Sequence, residues 1–133
     1  MIVADSDVLV DFLRGAEPAA ARVAVELETT SFGTTAVNAF ELRSGARTER
    51  QIRAVDELLG ALTILPFGSR EAQCAAKLRL DLERRGEGIG MADYLIAGAC
   101  LARDAVLLTK NRKHFERVPG LKLGHLQLDE IVR

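Results

Sequence analysis

Gly88-Ile89-Gly90-Met91-Ala92-Asp93-Tyr94-Leu95-Ile96-Ala97-Gly98-Ala99-Cys100-Leu101-Ala102 is the stretch around which the chain is organised. From Tyr94 to Ala102 it carries no charge, is rich in small side chains and is apolar on every face, which is how a helix reads when it is buried all round. Asp93 is the single charge at its start. A carboxylate at the mouth of a buried helix must be neutralised, hydrogen-bonded or bound to a cation, because an unpaired buried charge is far more unfavourable than a buried hydroxyl. Aspartate is also a favoured N-cap, and the glycines just upstream suit a loop feeding a helix. The two readings separate on whether other acids stand at equivalent points of the chain.

They do. Ile2-Val3-Ala4 is a short apolar strand that stops at Asp5-Ser6-Asp7, and residues 8–15 read as a helix closed by Gly15. Glu17-Pro18 opens a second helix with Ala20, Val23, Ala24 and Leu27 on one face. Residues 31–35 make a weak strand, followed by a helix over 36–45 in which Glu41 is the lone acid. Ile52, Val55, Leu58, Leu59 and Leu62 give an amphipathic packing helix over 49–62. A short strand over 63–66, ended by Pro66, and a long helix over 69–85 follow. Beyond the buried helix, Ala105-Val106-Leu107-Leu108-Thr109 is a continuous apolar run, the pattern of a strand covered on both faces. It stops at a basic loop, Lys110-Asn111-Arg112-Lys113-His114-Phe115, and residues 121–123 form a last edge strand.

This alternation implies an α/β fold, a three-layer arrangement with a central, mostly parallel sheet of about five short strands between two sets of helices. Ligands of such sheets bind outside the carboxyl ends of the strands. Asp5 ends the first strand, Glu41 follows the second, Asp93 begins the helix leading into a later strand, and Asn111 follows that strand. The topology therefore allows all four to meet in one cleft.

At 133 residues, 48% hydrophobic and 28% charged, the chain has the size and composition of one domain over 1–133. A formal charge of −1 argues against a generally basic nucleic-acid coat, so any such contact is local. Cys74 and Cys100 lie among alanines and leucines and read as buried apolar groups rather than a disulfide framework, which fits a reducing cytoplasm. Asp5, Asp7 and Asp11 interrupt any signal-peptide core, and no uncharged run reaches the roughly 18 apolar residues of a membrane span.

Two carboxylates about 4 Å apart repel by roughly 4 kcal/mol at an effective dielectric of about 20, and a divalent cation is the simplest remedy. Oxygen donors without a His or Cys cluster point to Mg²⁺ or Mn²⁺ rather than zinc. Such a site activates water and stabilises the charge that develops when a phosphodiester is cleaved.

Four pieces, in this order and spacing, resemble the PIN-domain nucleases, and within them the VapC-type toxins of toxin–antitoxin operons. They are Asp5-Ser6-Asp7-Val8-Leu9, the segment 36–45 around Glu41, the segment 88–97 around Asp93, and Thr109-Lys110-Asn111 with Phe115 and Val118-Pro119-Gly120-Leu121. The resemblance runs essentially end to end. It implies a magnesium-dependent endoribonuclease, commonly a homodimer, silenced by a cognate antitoxin that binds beside or into the acidic cleft. Asp5, Glu41 and Asp93 fall on the family's catalytic, metal-binding positions. The family often has Asn where this chain has Asp7, and many members have Asp where it has Asn111, so Asn111 is expected as a weak or water-mediated ligand. Asp7, Thr109, Lys110 and Arg112 are expected around the ion or the substrate. His114 is given no proton-transfer role, and Asp11 is read as solvated.

Two other readings stand beside this one. Asp5 and Asp7 two apart, with Thr109 and Lys110 later, suit a phosphatase of the haloacid dehalogenase type, but that chemistry lacks a late acidic pair and leaves Glu41 without a role. A silent interaction module would use only apolar surface. Leu9, Phe12, Leu13, Phe40 and Leu42, on the helices that border the site, carry more apolar surface than one thin sheet can bury and are expected to mark the interfaces of a homodimer and of an antitoxin that covers the cleft.

Overall fold

Strand β1 (Ile2–Ala4) sits in the middle of a five-stranded sheet of order β3-β2-β1-β4-β5, in which every neighbouring pair is parallel. The computed structural model describes residues 1–29 and 31–128. The other strands are β2 (Phe32–Thr35), β3 (Thr63–Leu65), β4 (Val106–Leu108) and β5 (Lys122–Leu123). Ile2, Val3 and Ala4 stand opposite Val106, Leu107 and Leu108, and Ile2 and Val3 opposite Phe32 and Gly33.

Because side chains alternate across a strand, Val3 and Leu107 enter one core and Ala4 and Leu108 the other. The first core is closed by α5 (Ser69–Arg84) and α6 (Met91–Ala102) through Leu78, Leu82, Ile96 and Ala97. The second is closed by α1 (Ser6–Leu13), α2 (Ala19–Glu26) and α4 (Glu49–Gly60) through Val8, Leu9, Val23, Val55 and Leu59. The expected three layers are present. Helix α3 (Ala36–Gly45) has the ends its sequence implies.

Threonines explain why β2 reads as weak yet is fully buried: Thr34 Oγ1 donates to the Ala4 carbonyl at 2.6 Å, and Thr35 caps α3. Polar side chains are tolerated in a core when each is hydrogen-bonded.

Several expectations are corrected. Helix α2 starts after Pro18, and Ala24 lies on its exposed side because Ala19 and Val23 are the residues that pack. Ile52 of α4 is exposed while Val55, Leu58 and Leu59 carry the packing. The segment after β4 is not all loop, since Arg112–Phe115 forms a single-turn helix, α7, pinned by the fully buried ring of Phe115. Of the five apolar residues expected at a surface, Leu9 and Leu42 are buried, whereas Leu13 and Phe40 are exposed, Phe40 at 69%.

From Tyr94 to Ala102 helix α6 is buried except at the half-buried Leu95 and Leu101, and it rides directly on α5. A Cβ built on Gly98 would lie 2.7 Å from Ala75 Cβ and 2.8 Å from Ala75 N. The obstacle is backbone, so the helices must part to admit it. Gly98→Ala is therefore expected to destabilise the fold by about 1–3 kcal/mol despite the better helix propensity of alanine. Urea unfolding of the two proteins measures this, and equal midpoints would show that the helices yield. Nearby, Cys100 is fully buried and burial pushes its thiol up to about 12, which makes it unreactive; Cys74 is only half-buried. No helix of the described residues is long and apolar enough to cross a membrane.

Candidate functional site

Parallel strands end on one edge, and the polar groups of the chain gather there. Asp5 follows β1 directly, is only 7% exposed, and caps α1 by accepting from the Ser6 N–H at 2.8 Å. Across the edge, α3 begins with a capping box: Thr35 Oγ1 accepts from the Asn38 N–H at 3.1 Å, while Asn38 Oδ1 accepts from the Thr35 hydroxyl at 2.7 Å. With its oxygen committed to Thr35, the buried Asn38 amide must turn its nitrogen toward the acids. Nδ2 donates to Asp5 Oδ1 and to Ser6 Oγ, both at 2.9 Å, and lies 3.4 Å from Glu41 Oε1. Ser6 Oγ in turn donates to Glu41 Oε1 at 2.7 Å. Glu41 is therefore aimed into the site by Ser6 rather than paired on the surface, and Arg43 takes Asp56 instead.

On the other side, Thr109 Oγ1 donates to Asp5 Oδ2 at 2.7 Å and accepts from the Asn111 N–H at 3.0 Å. Asp93 is not the cap of α6, because Gly90 holds that position and Asp93 lies in the first turn. Its Oδ2 is 2.9 Å from His114 Nδ1 and 3.3 Å from Asn111 Nδ2. One hydrogen-bonded row thus runs from Glu41 through Ser6, Asn38, Asp5, Thr109 and Asn111 to Asp93. Ser6, Asn38 and His114 had no place in the sequence-based site. For Asn38 and His114 the available signal was helical spacing, each standing three positions from a candidate residue.

Asp7 faces outward from this row. The Lys110 N–H donates to its two oxygens at 3.3 and 3.2 Å, which ties α1 to the end of β4. Lys110 Nζ pairs with Asp11 at 2.9 Å, so Asp11 is a partly buried ion-pair partner and not the solvated residue expected. Arg112 reaches the Gly124 carbonyl at 2.7 Å and pairs with Glu116 at 3.6 Å.

The charge balance of the site is unfavourable as it stands. Burial, and after it the nearby Asp7 charge, pushes Asp5 up to about 6 despite the bonds from Thr109, Ser6 and Asn38. Burial also raises Asp7. Among the described residues, no three His, Cys, Asp or Glu side chains already stand close enough to hold an ion. Asn38, Thr109 and Asn111 stand between the acids. The donors nevertheless suit a hard divalent cation: the acids present carboxylate oxygen, and among the described residues Glu41 Oε2 and Asp93 Oδ1 carry no hydrogen bond. Glu41 and Asp93 are only partly buried.

A groove of about 590 Å³ opens from Ser6 and Glu41 between α1, α3 and α4, floored by Val10, Leu42 and Val55 and edged by Arg14 and Arg50. On the far side of Glu41, Phe40 and the exposed Met91 border a smaller apolar hollow.

A sequence-family profile described as "PIN domain" matches residues 2–121. Ribonuclease VapC19 of Mycobacterium tuberculosis is 33% identical over 124 residues, 92% of this chain and 98% of that one. The tRNA(fMet)-specific endonuclease VapC of Salmonella typhimurium is 29% identical over 111 residues, 80% of this chain and 84% of the relative. Among solved structures, VapBC2 from Rickettsia felis bound to a promoter DNA fragment superposes with a TM-score of 0.83 at 26% identity, covering 97% of this chain and all of the other.

Proposed function

The chain belongs to the PIN-domain family, among its VapC-type ribonuclease toxins, and from that premise we propose a Mg²⁺-dependent endoribonuclease with Asp5, Glu41 and Asp93 as its catalytic acids. The observation that supports the assignment is the row of hydrogen bonds that lines these acids along one sheet edge. Asp5, Glu41 and Asp93 hold the ion, with Mn²⁺ an acceptable substitute, and Asn111 is a weak or water-mediated fourth ligand. When bound, the ion supplies a hydroxide-like water and neutralises charge on the phosphate that is cleaved. Asn38 and Ser6 keep Asp5 and Glu41 at a fixed spacing, and Thr109 fixes the second oxygen of Asp5. Lys110 and Arg112 would offset the repulsion between an acidic cleft and an anionic strand only by exchanging Asp11 and Glu116 for the phosphates. Family membership leaves neither the phosphatase nor the silent module favoured.

The same reading covers residues 1–133 as one PIN domain acting in the cytoplasm, where RNA is the substrate. Its partners are a cognate antitoxin and a second copy of the chain. The groove beside Ser6 and Glu41 suits the antitoxin, since an occupant there covers Glu41. Incubation of the purified chain with total cellular RNA, with magnesium or with EDTA, tests the proposal. Cleavage that persists in EDTA overturns the metal-dependent mechanism.

The fourth position gives a finer prediction. Asn111→Asp adds a negative group beside Asp93 and is expected to tighten magnesium binding, whereas Asp7→Asn, whose oxygens serve the Lys110 N–H, is expected to weaken it only mildly. Calorimetric titration of both variants decides. Abolished binding in Asp7→Asn with no change in Asn111→Asp means that Asp7 completes the site.

A further inference from the structure

His114 lies 21 positions from Asp93 in the chain, yet its Nδ1 stands 2.9 Å from Asp93 Oδ2. A carboxylate only accepts hydrogen bonds, so this contact requires the proton on Nδ1. Asn111 Nδ2 is a second donor to the same oxygen, at 3.3 Å. The 3.0 Å approach of Asn111 Nδ2 to His114 Nδ1 is then two donors converging on one acceptor, not a bond between them. Asp93 Oδ1 is left without a hydrogen bond among the described residues.

We propose that His114 is a positioning residue: its Nδ1–H clamps Asp93 Oδ2 and thereby presents Asp93 Oδ1 to the cation. The proposal rests on the reading of Asp93 as a metal ligand. The platform that carries the ring is rigid. Phe115 is buried beneath α7, the Phe115 N–H donates to the Asn111 carbonyl at 3.4 Å, and the Asn111 N–H is held by Thr109, which also grips Asp5. The short helix thus links Asp93, through the His114 and Asn111 side chains, to the Thr109 that grips Asp5. The His114 side chain itself is 42% exposed, so replacing it removes the clamp without opening the core. Partners that orient a metal ligand are worth roughly ten- to hundredfold in ion affinity.

Three variants isolate the nitrogen that acts. In His114→Asn the side-chain amide nitrogen falls near the place of Nδ1, in His114→Gln it falls near the place of Nε2, and His114→Ala has no donor. Mg²⁺ and Mn²⁺ affinities by calorimetry on the purified chain, with thermal midpoints recorded in EDTA, are the readouts. The expected result is a weakening of about tenfold or more in Ala and Gln, recovery to near the original affinity in Asn, and unchanged midpoints in all three. Original affinity in His114→Ala overturns the clamp and leaves the assignment of Asp93 intact. Equal weakening in Asn and Ala also overturns it, because the ring and not its Nδ1–H is then what matters. Absence of ion binding by the unaltered chain overturns both this inference and the metal site it rests on.

Discussion

Asp93→Asn is expected to abolish RNA cleavage and to leave the chain folded. The substitution is nearly isosteric, but the two donors at Oδ2 decide how the new amide sits. His114 Nδ1 and Asn111 Nδ2 both need an acceptor, so the amide oxygen turns to them and the NH₂ group takes the place of Oδ1. The site loses a unit of negative charge and gains a donor where a ligand should stand. An effect of about 3–5 kcal/mol on the barrier follows, roughly two to four orders of magnitude in rate. Single-turnover cleavage of a defined RNA at saturating magnesium, with circular dichroism to verify the fold, is the measurement. Undiminished cleavage by the variant removes Asp93 from the reaction.

The second large effect is on stability, and it has a definite sign. Asp5 is raised from 3.8 to about 6 by burial and by Asp7. Below pH 3.8 the folded and unfolded chains both hold this proton. As the pH rises the unfolded chain releases it first, so stability falls until the pH passes about 6 and the folded chain ionises as well. At about 1.4 kcal/mol per pH unit, this one group makes the metal-free protein about 3 kcal/mol less stable at pH 7 than well below pH 3.8, where both states are protonated. Asp5→Asn removes the loss, because the amide oxygen still accepts from Ser6 and Asn38, and the Thr109 oxygen can accept from the new amide nitrogen. In EDTA at pH 7 the variant is expected to melt above the parent, and magnesium is expected to stabilise only the parent. A variant that melts lower shows that Asp5 is needed for the fold itself.

The fold was legible because both periodicities are strong. The uncharged run from Tyr94 to Ala102 can only be a helix inside the molecule, and Val106-Leu107-Leu108 has apolar residues for both faces of a sheet. Gly15 and Gly45 marked helix ends, and Asp5, Glu41 and Asp93 could be placed on one edge from strand order alone. The connections between them were not legible. That Asn38 faces Asp5 depends on Thr35 capturing its oxygen, and a cap of that kind leaves open which acid receives the nitrogen. Asp93 was weighed as an N-cap because Gly90, which holds the position, has no side chain to announce it. Nothing near His114 in sequence announces its partner, because contact between α6 and α7 is a property of packing that no local pattern carries. The same holds for Asp11, whose cation arrives from beyond β4.

The first strand of the chain lies at the centre of the sheet, between β2 and β4. Its pairing with β4 joins residues 2–4 to 106–108, and Thr109 reaches Asp5 across 104 positions. During synthesis β1 is made before either of its neighbours, and its pairing with β4 waits for the whole stretch of chain between them. Asp5 and Glu41 can approach one another once α3 exists, yet Asp93 has no clamp until α7 follows. The hydrogen-bonded row from Glu41 to Asp93 therefore cannot close until Thr109 and Asn111 have been made. Long-range closure of this kind also slows folding. An antitoxin already present can therefore meet the chain before the cleft is whole.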